Sequence, residues 1–133
     1  MRISETIDYH IRGALFAMRR MYNIMASELG TTQGVAYVLI NVPHGGRAAT
    51  SIAPMMGMGA TSLTRLLKTM EEDGLIYRKK SLDDRRVVII FLTDKGQQLR
   101  RKARQVVIDF NKKLFEKLDP AEAAVFIKVC QII

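Results

Sequence analysis

The sequence predicts a mainly α-helical fold with one small β-hairpin, an α+β chain whose hairpin follows directly on an amphipathic helix. Three observations carry this. Apolar residues recur at helical spacing through most of the chain, and β-branched runs such as Val87-Val88-Ile89-Ile90 are too few for a strand-rich fold. Within residues 59–92, Leu63, Leu66, Leu67 and Met70 stand at i, i+3, i+4 and i+7, one face of a helix that Gly74 can stop. The length of 133 residues, 48% hydrophobic and 26% charged, suits one globular domain able to bury a core without staples.

In chain order, residues 4–29 predict a first helix. Ser4 is placed to cap it, Glu5 and Asp8 suit its positive end, and Leu29-Gly30 suits its stop. Ile7, Ile11, Leu15, Met18, Met21 or Tyr22, Met25 and Leu29 recur along it at helical spacing, and Gly13 weakens it by about 1 kcal/mol relative to Ala. Thr32 caps a second helix running to about Val42, with Val35, Val38 and Leu39 inward. Pro43-His44-Gly45-Gly46 is a turn by composition. Pro54 is tolerated only in a first turn, so a short third helix is capped by Thr50 or Ser51 and ends near Met56-Gly57. A tight connection, Met58-Gly59, leads into the amphipathic helix: a helix-turn-helix arrangement. After the hairpin, Thr93 caps a long helix with Leu99, Ala103, Val106, Phe110, Leu114 and Leu118 on one stripe. Asp119-Pro120-Ala121-Glu122 combines a capping box with proline at its preferred position, the clearest boundary in the chain.

The last helix, from Ala123 to Ile133, is apolar almost all round and should not face water. It is buried within the chain or packs on a second copy. The long first and fifth helices extend beyond a small core, which favours a homodimer with Ile7, Ile11, Phe110, Leu114, Phe126, Ile127 and Ile133 at its interface.

The formal charge of +8 is uneven. Between Leu75 and Arg104 stand ten Lys or Arg against three Asp, a local +7, while the rest of the chain is near neutral. Such a stripe is either a solvated helix face or the footprint of a polyanion partner. On the amphipathic helix, Thr61, Arg65 and Lys68 project opposite the apolar face, beside the charged hairpin tip: the equipment of a DNA groove reader. The single Cys130 rules out an internal disulfide framework, and with His10 and His44 it offers no metal set at ligand spacing. No secretory signal and no apolar run of about 18 residues is present, so the expectation is a reduced, cytoplasmic protein with no membrane partner and no cofactor.

Four segments in register carry a family resemblance: Gly57-Met58-Gly59-Ala60-Thr61-Ser62-Leu63-Thr64-Arg65-Leu66, Glu71-Glu72-Asp73-Gly74-Leu75-Ile76, Asp83-Asp84-Arg85-Arg86 and Leu92-Thr93-Asp94-Lys95-Gly96. Their order and spacing over residues 49–96 resemble the multiple antibiotic resistance regulator (MarR) family; the flanking helices match in length and pattern only. The resemblance implies a winged helix-turn-helix at residues 31–96, dimerisation helices at 1–30 and 97–133, and dimeric, sequence-specific binding of double-stranded DNA in transcription control. Repression relieved by a small-molecule effector is common in that family. It places Thr61, Ser62, Thr64, Arg65 and Lys68 on the recognition helix, with Arg65 contacting a guanine edge or a phosphate. It also places Asp84, Arg85 and Arg86 in the wing, with Arg86 in the minor groove and Asp84 holding the wing arginines. The physical case agrees: a narrow groove concentrates negative potential, and short hydroxyl side chains allow close approach to phosphates.

Three features depart from the family pattern. Gly59 stands where the helix entrance usually has Ser, and Pro54 shortens the supporting helix. Alternation puts Val88, Ile90 and Leu92 inward but Val87, Ile89 and Phe91 outward, so the second wing strand is covered on both faces or offers a contact surface. A second function class follows from that surface and the last helix: a winged-helix protein-interaction module that does not read DNA. Catalysis has no support. His44-Gly45-Gly46 lacks the Gly-x-Ser-x-Gly elbow an oxyanion loop would serve. The stripes Met18, Met21, Met25 and Met55, Met56, Met58 suit core packing better than a ligand pocket. Cys130 lies in the most apolar helix, where a thiol is usually inert.

Overall fold

The structure, a computed structural model, describes residues 1–133. Six α-helices, α1 (Ile7–Glu28), α2 (Gln33–Asn41), α3 (Ile52–Met56), α4 (Ala60–Glu72), α5 (Asp94–Phe115) and α6 (Pro120–Ile132), accompany one sheet. Its antiparallel strands, β1 (Arg47–Ala48), β2 (Ile76–Lys80) and β3 (Val88–Leu92), lie in the order β1-β3-β2. The chain forms two compact units, Met1–Ala103 and Arg104–Ile133.

The core of the first unit is built where the sequence pattern placed it. Val35, Val38 and Leu39 of α2, Ile52 of α3, and Leu63, Leu67 and Met70 of α4 bury against Ile76 of β2 and Ile90 and Leu92 of β3. Met55, Met56 and Met58 are partly buried against this cluster, so these methionines fill core gaps. A cleft of about 380 Å³ in the same unit is lined by Leu29, Gly30, Thr31, Asp73, Leu75, Lys95, Gln98, Leu99 and Lys102, with no methionine among them.

Several element ends differ from expectation. Residues Ile3–Glu5 form a 3-10 turn, closed by Glu5 Oε2 accepting from the Arg2 N–H at 3.0 Å. Thr6, not Ser4, therefore caps α1, its hydroxyl accepting from the Tyr9 N–H at 3.4 Å. At α3 neither Thr50 nor Ser51 provides a side-chain cap. A 3-10 turn over Ala49–Ser51 leads into the helix, and the Ser51 hydroxyl donates to the Ala48 carbonyl at 2.7 Å while accepting from Arg47 Nε at 3.0 Å. The expected two-stranded hairpin is a three-stranded sheet, because Arg47 and Ala48 pair with Ile90 and Ile89 along the edge of β3. Two residues carry no readable alternation, so only the open edge of β3 reveals that strand.

The outer face of the sheet is covered in part. Tyr77 stacks on Phe91 with ring centroids 5.4 Å apart. Gly46, at φ +83°, lies so close that a Cβ there would stand 2.7 Å from both Ile89 and Phe91. This supports the reading of β3 as a strand covered on both faces. In the second unit, Asp119 and Glu122 form the expected capping box, with Pro120 in the first turn of α6. Leu118 lies past the end of α5. On α6 only Ala123 is buried, Phe126 is 59% and Ile127 50% exposed, and Cys130 is exposed rather than set in an apolar interior. No helix is long and apolar enough to cross a membrane.

Candidate nucleic-acid interface

The outer face of α4 is built by the residues its inner face leaves over. With Leu63, Leu67 and Met70 buried, Thr61, Ser62, Thr64, Arg65 and Lys68 are all exposed. Arg65 and Lys68 enter none of the three ion pairs of the chain, which are Arg12–Asp8, Arg78–Glu71 and Arg86–Asp84. Their charges are free for an external anion. The hydroxyls differ among themselves. Thr64 Oγ1 donates to the Ala60 carbonyl at 2.9 Å, so its proton is committed and the oxygen is left only as an acceptor. Thr61 and Ser62 have no such bond and can donate to a phosphate oxygen.

The N-terminus of α4 is open. Gly59 takes the cap position with extended backbone (φ −69°, ψ 151°) and provides no side-chain acceptor. The first N–H groups of the helix therefore lack a protein partner and point, with the positive end of the helix dipole, outward. Gly57, at φ +61°, turns the chain between α3 and α4 in a left-handed conformation that favours glycine.

Between β2 and β3 the tip is organised by two side chains. Ser81 Oγ accepts from the N–H groups of Asp83 (3.3 Å) and Asp84 (3.5 Å). The Asp84 carboxylate accepts from the Arg86 backbone N–H at 3.0 Å, from its Nε at 3.1 Å and from its Nη2 at 3.2 Å. These bonds, the Arg86 side chain foremost, hold the Asp84 carboxyl below its ordinary value. The Arg86 side chain is nevertheless 91% exposed, so it is aimed without being covered. Arg85 is exposed and unpaired. Ser81 was not singled out by the sequence; its signal is the Ser-x-Asp-Asp spacing of a side-chain-closed turn.

The far end of α4 is acidic, but its three carboxylates are not alike. Glu71 is not a bare negative charge: Arg78 Nε of β2 donates to it at 2.8 Å, joining helix and sheet. Glu72 and Asp73 remain exposed and unpaired, so the far end of α4 still disfavours phosphate. No cluster of three His, Cys, Asp or Glu is placed to hold a metal ion.

The expected interface residues of the flanking helices divide by burial. Ile7, Leu114, Phe126, Ile127 and Ile133 are exposed, whereas Ile11 and Phe110 are half-buried.

Comparison with known proteins gives a consistent pattern. The MarR family model matches residues 43–88, which run from the turn after α2 to the start of β3. The organic hydroperoxide resistance transcriptional regulator of Bacillus subtilis is 27% identical over 131 residues, covering 95% of this chain and 88% of the relative. Among solved structures, S. aureus MepR in its DNA complex superposes with a TM-score of 0.81 at 20% identity, covering 95% of this chain and 94% of that one. The transcriptional repressor CouR, bound to a 23-mer DNA duplex, superposes with a TM-score of 0.78 at 25% identity, covering 98% and 93%.

Proposed function

We propose that this chain, whose residues 43–88 match the MarR family model, is a sequence-specific double-stranded DNA-binding transcription regulator of that family, acting as a dimeric repressor in the cytoplasm. The single observation that carries the reading is the outer face of α4, where two free cations and two free hydroxyls flank an uncapped helix N-terminus. That face donates hydrogen bonds and positive charge within the first two turns and becomes acidic beyond Glu71. Such polarity suits entry into the major groove by the N-terminus, with Arg65 on a guanine edge or a phosphate. Arg86, held by Asp84, is suited to the minor groove, and Arg85 and Lys68 to phosphates. In this reading residues 31–96 bind DNA and residues 1–30 and 97–133 form the dimer, with the exposed apolar side chains of α1 and α6 as its interface. Release by a small-molecule effector completes the proposed cycle, and no reaction is assigned to the chain.

The experiment is selection of bound duplexes from a random library at physiological salt, followed by affinity against salt concentration. Phosphate contacts predict a linear fall of log affinity with log salt. The reading is abandoned if no duplex is held more tightly than bulk DNA. The alternative, a protein-interaction module, loses much of its wing surface to the Tyr77–Phe91 stack and to the Gly46 turn.

A further inference from the structure

We propose that Thr93 and Lys95 are positioning residues for DNA recognition: from the start of α5 they clamp the far end of α4 and so set the angle at which its open end is presented. The inference rests on reading α4 as the recognition helix.

A helix ends in carbonyl groups without partners inside the helix. Here the three carbonyls that follow α4 are each taken up by one short segment. Lys95 Nζ donates to the Asp73 carbonyl at 2.8 Å, Thr93 Oγ1 to the Gly74 carbonyl at 2.6 Å, and the Thr93 N–H to the Leu75 carbonyl at 3.0 Å. The same Thr93 hydroxyl accepts from the Gly96 N–H at 3.1 Å, so one oxygen closes the end of α4 and caps α5. The backbones are in close approach, since a Cβ at Gly96 would collide with the Leu75 carbonyl oxygen. Glu71 and Arg78 add a second tie, to β2.

The opposite end of α4 is held differently. Gly59 offers no cap, and a Cβ built at Gly57 or Gly59 would meet nothing within 4 Å. Leu63, Leu67 and Met70 seat the inner face of the helix, but no polar side chain fixes its N-terminus. Geometry then makes the clamp matter. Thirteen residues span about 20 Å, so a tilt of about 3° at the clamp moves the far end by about 1 Å. Recognition geometry tolerates roughly 0.5 Å.

An ordinary helix cap at Thr93 would stabilise the fold without bearing on base choice, so the test must separate the two roles. Three full-length variants serve: Thr93→Val removes the hydroxyl at constant shape, Thr93→Ser keeps it, and Lys95→Met breaks the Asp73 bond while leaving the α5 cap intact. Each is measured against the duplex selected by the unmodified protein and against a scrambled duplex of the same composition. Amide hydrogen exchange is followed over residues 68–73 without DNA. The expected result for Thr93→Val is about a tenfold loss on the selected duplex with less than a twofold change on the scrambled one. Lys95→Met should lose about threefold in the same selective manner, and Thr93→Ser should stay within about twofold of the unmodified protein. Exchange should rise at residues 68–73 in the first and third variants, with α2 unchanged. Equal losses on both duplexes, or exchange rising across the whole first unit, overturn the positioning role. If the unmodified protein fails to prefer its selected duplex, the DNA reading falls and the positioning role with it. The exchange measurement still decides whether the clamp exists.

Discussion

Arg65 and Arg86 are both exposed cations, and in the proposed function their different surroundings give them different duties at DNA. Arg65 has no ion-pair partner and stands in the second turn of α4, free to choose a guanine edge or a phosphate. Arg65→Ala is expected to cost about 1–3 kcal/mol and to relax preference at one base position, measured by repeating the duplex selection with the variant. A loss that is uniform over all duplexes would show a phosphate contact only. Arg86 is held by Asp84, whose carboxyl is depressed chiefly by the Arg86 side chain. A depressed carboxyl contributes order above its ordinary value of 3.8 and loses it as pH falls through its own lower value. The wing tip should therefore keep one conformation at neutral pH and loosen only in acid below 3.8. The Asp84 carboxyl resonance, followed by NMR, should titrate below that value and move back toward it in Arg86→Ala. Titration at the ordinary value in the unmodified protein would dismiss the held-arginine geometry.

At the scale of elements, α5 packs backbone against backbone on the segment that links α4 to β2. Gly96 is required there because its missing Cβ lets α5 lie against the Leu75 carbonyl. Gly96→Ala should destabilise the chain by about 1–3 kcal/mol, read as a lowered denaturation midpoint at unchanged slope. Gly59→Ser is the opposite case. The backbone at Gly59 is already extended and its surroundings are open, so a serine there should cap α4 and raise stability by a few tenths of a kcal/mol. A loss of stability in Gly59→Ser would show that the N–H groups of α4 are better left uncapped.

At the scale of the whole molecule, the apolar surface of α6 is exposed in a single copy, and in the proposed dimer another copy covers it. Val125, Phe126 and Ile127 are each at least half exposed, as are Ile7, Phe16 and Ile24 on α1. Truncation after Leu118 should convert a dimer to a monomer in sedimentation velocity and remove tight binding of the selected duplex, because each half-site alone binds weakly. A full-length chain that sediments as a monomer would defeat the dimer and leave α6 without a role in it.

Much of this architecture is legible in the sequence. The stripe of Leu63, Leu67 and Met70 determined which face of α4 is buried, and hence that Thr61, Arg65 and Lys68 face outward. Thr32, Thr93 and the Asp119–Glu122 box marked helix starts, because a short hydroxyl or carboxylate ahead of an apolar period has one common structural use. These are local properties, written in spacing and composition. Other features were decided only by tertiary structure. Strand β1, the Glu71–Arg78 tie, the commitment of the Asp73, Gly74 and Leu75 carbonyls to α5, and the covering of Phe91 by Tyr77 all join residues whose sequence separation gives no sign of contact. A single sequence carries the period of each element but not the partner of each edge, since pairing depends on which backbone groups the folded core leaves unsatisfied.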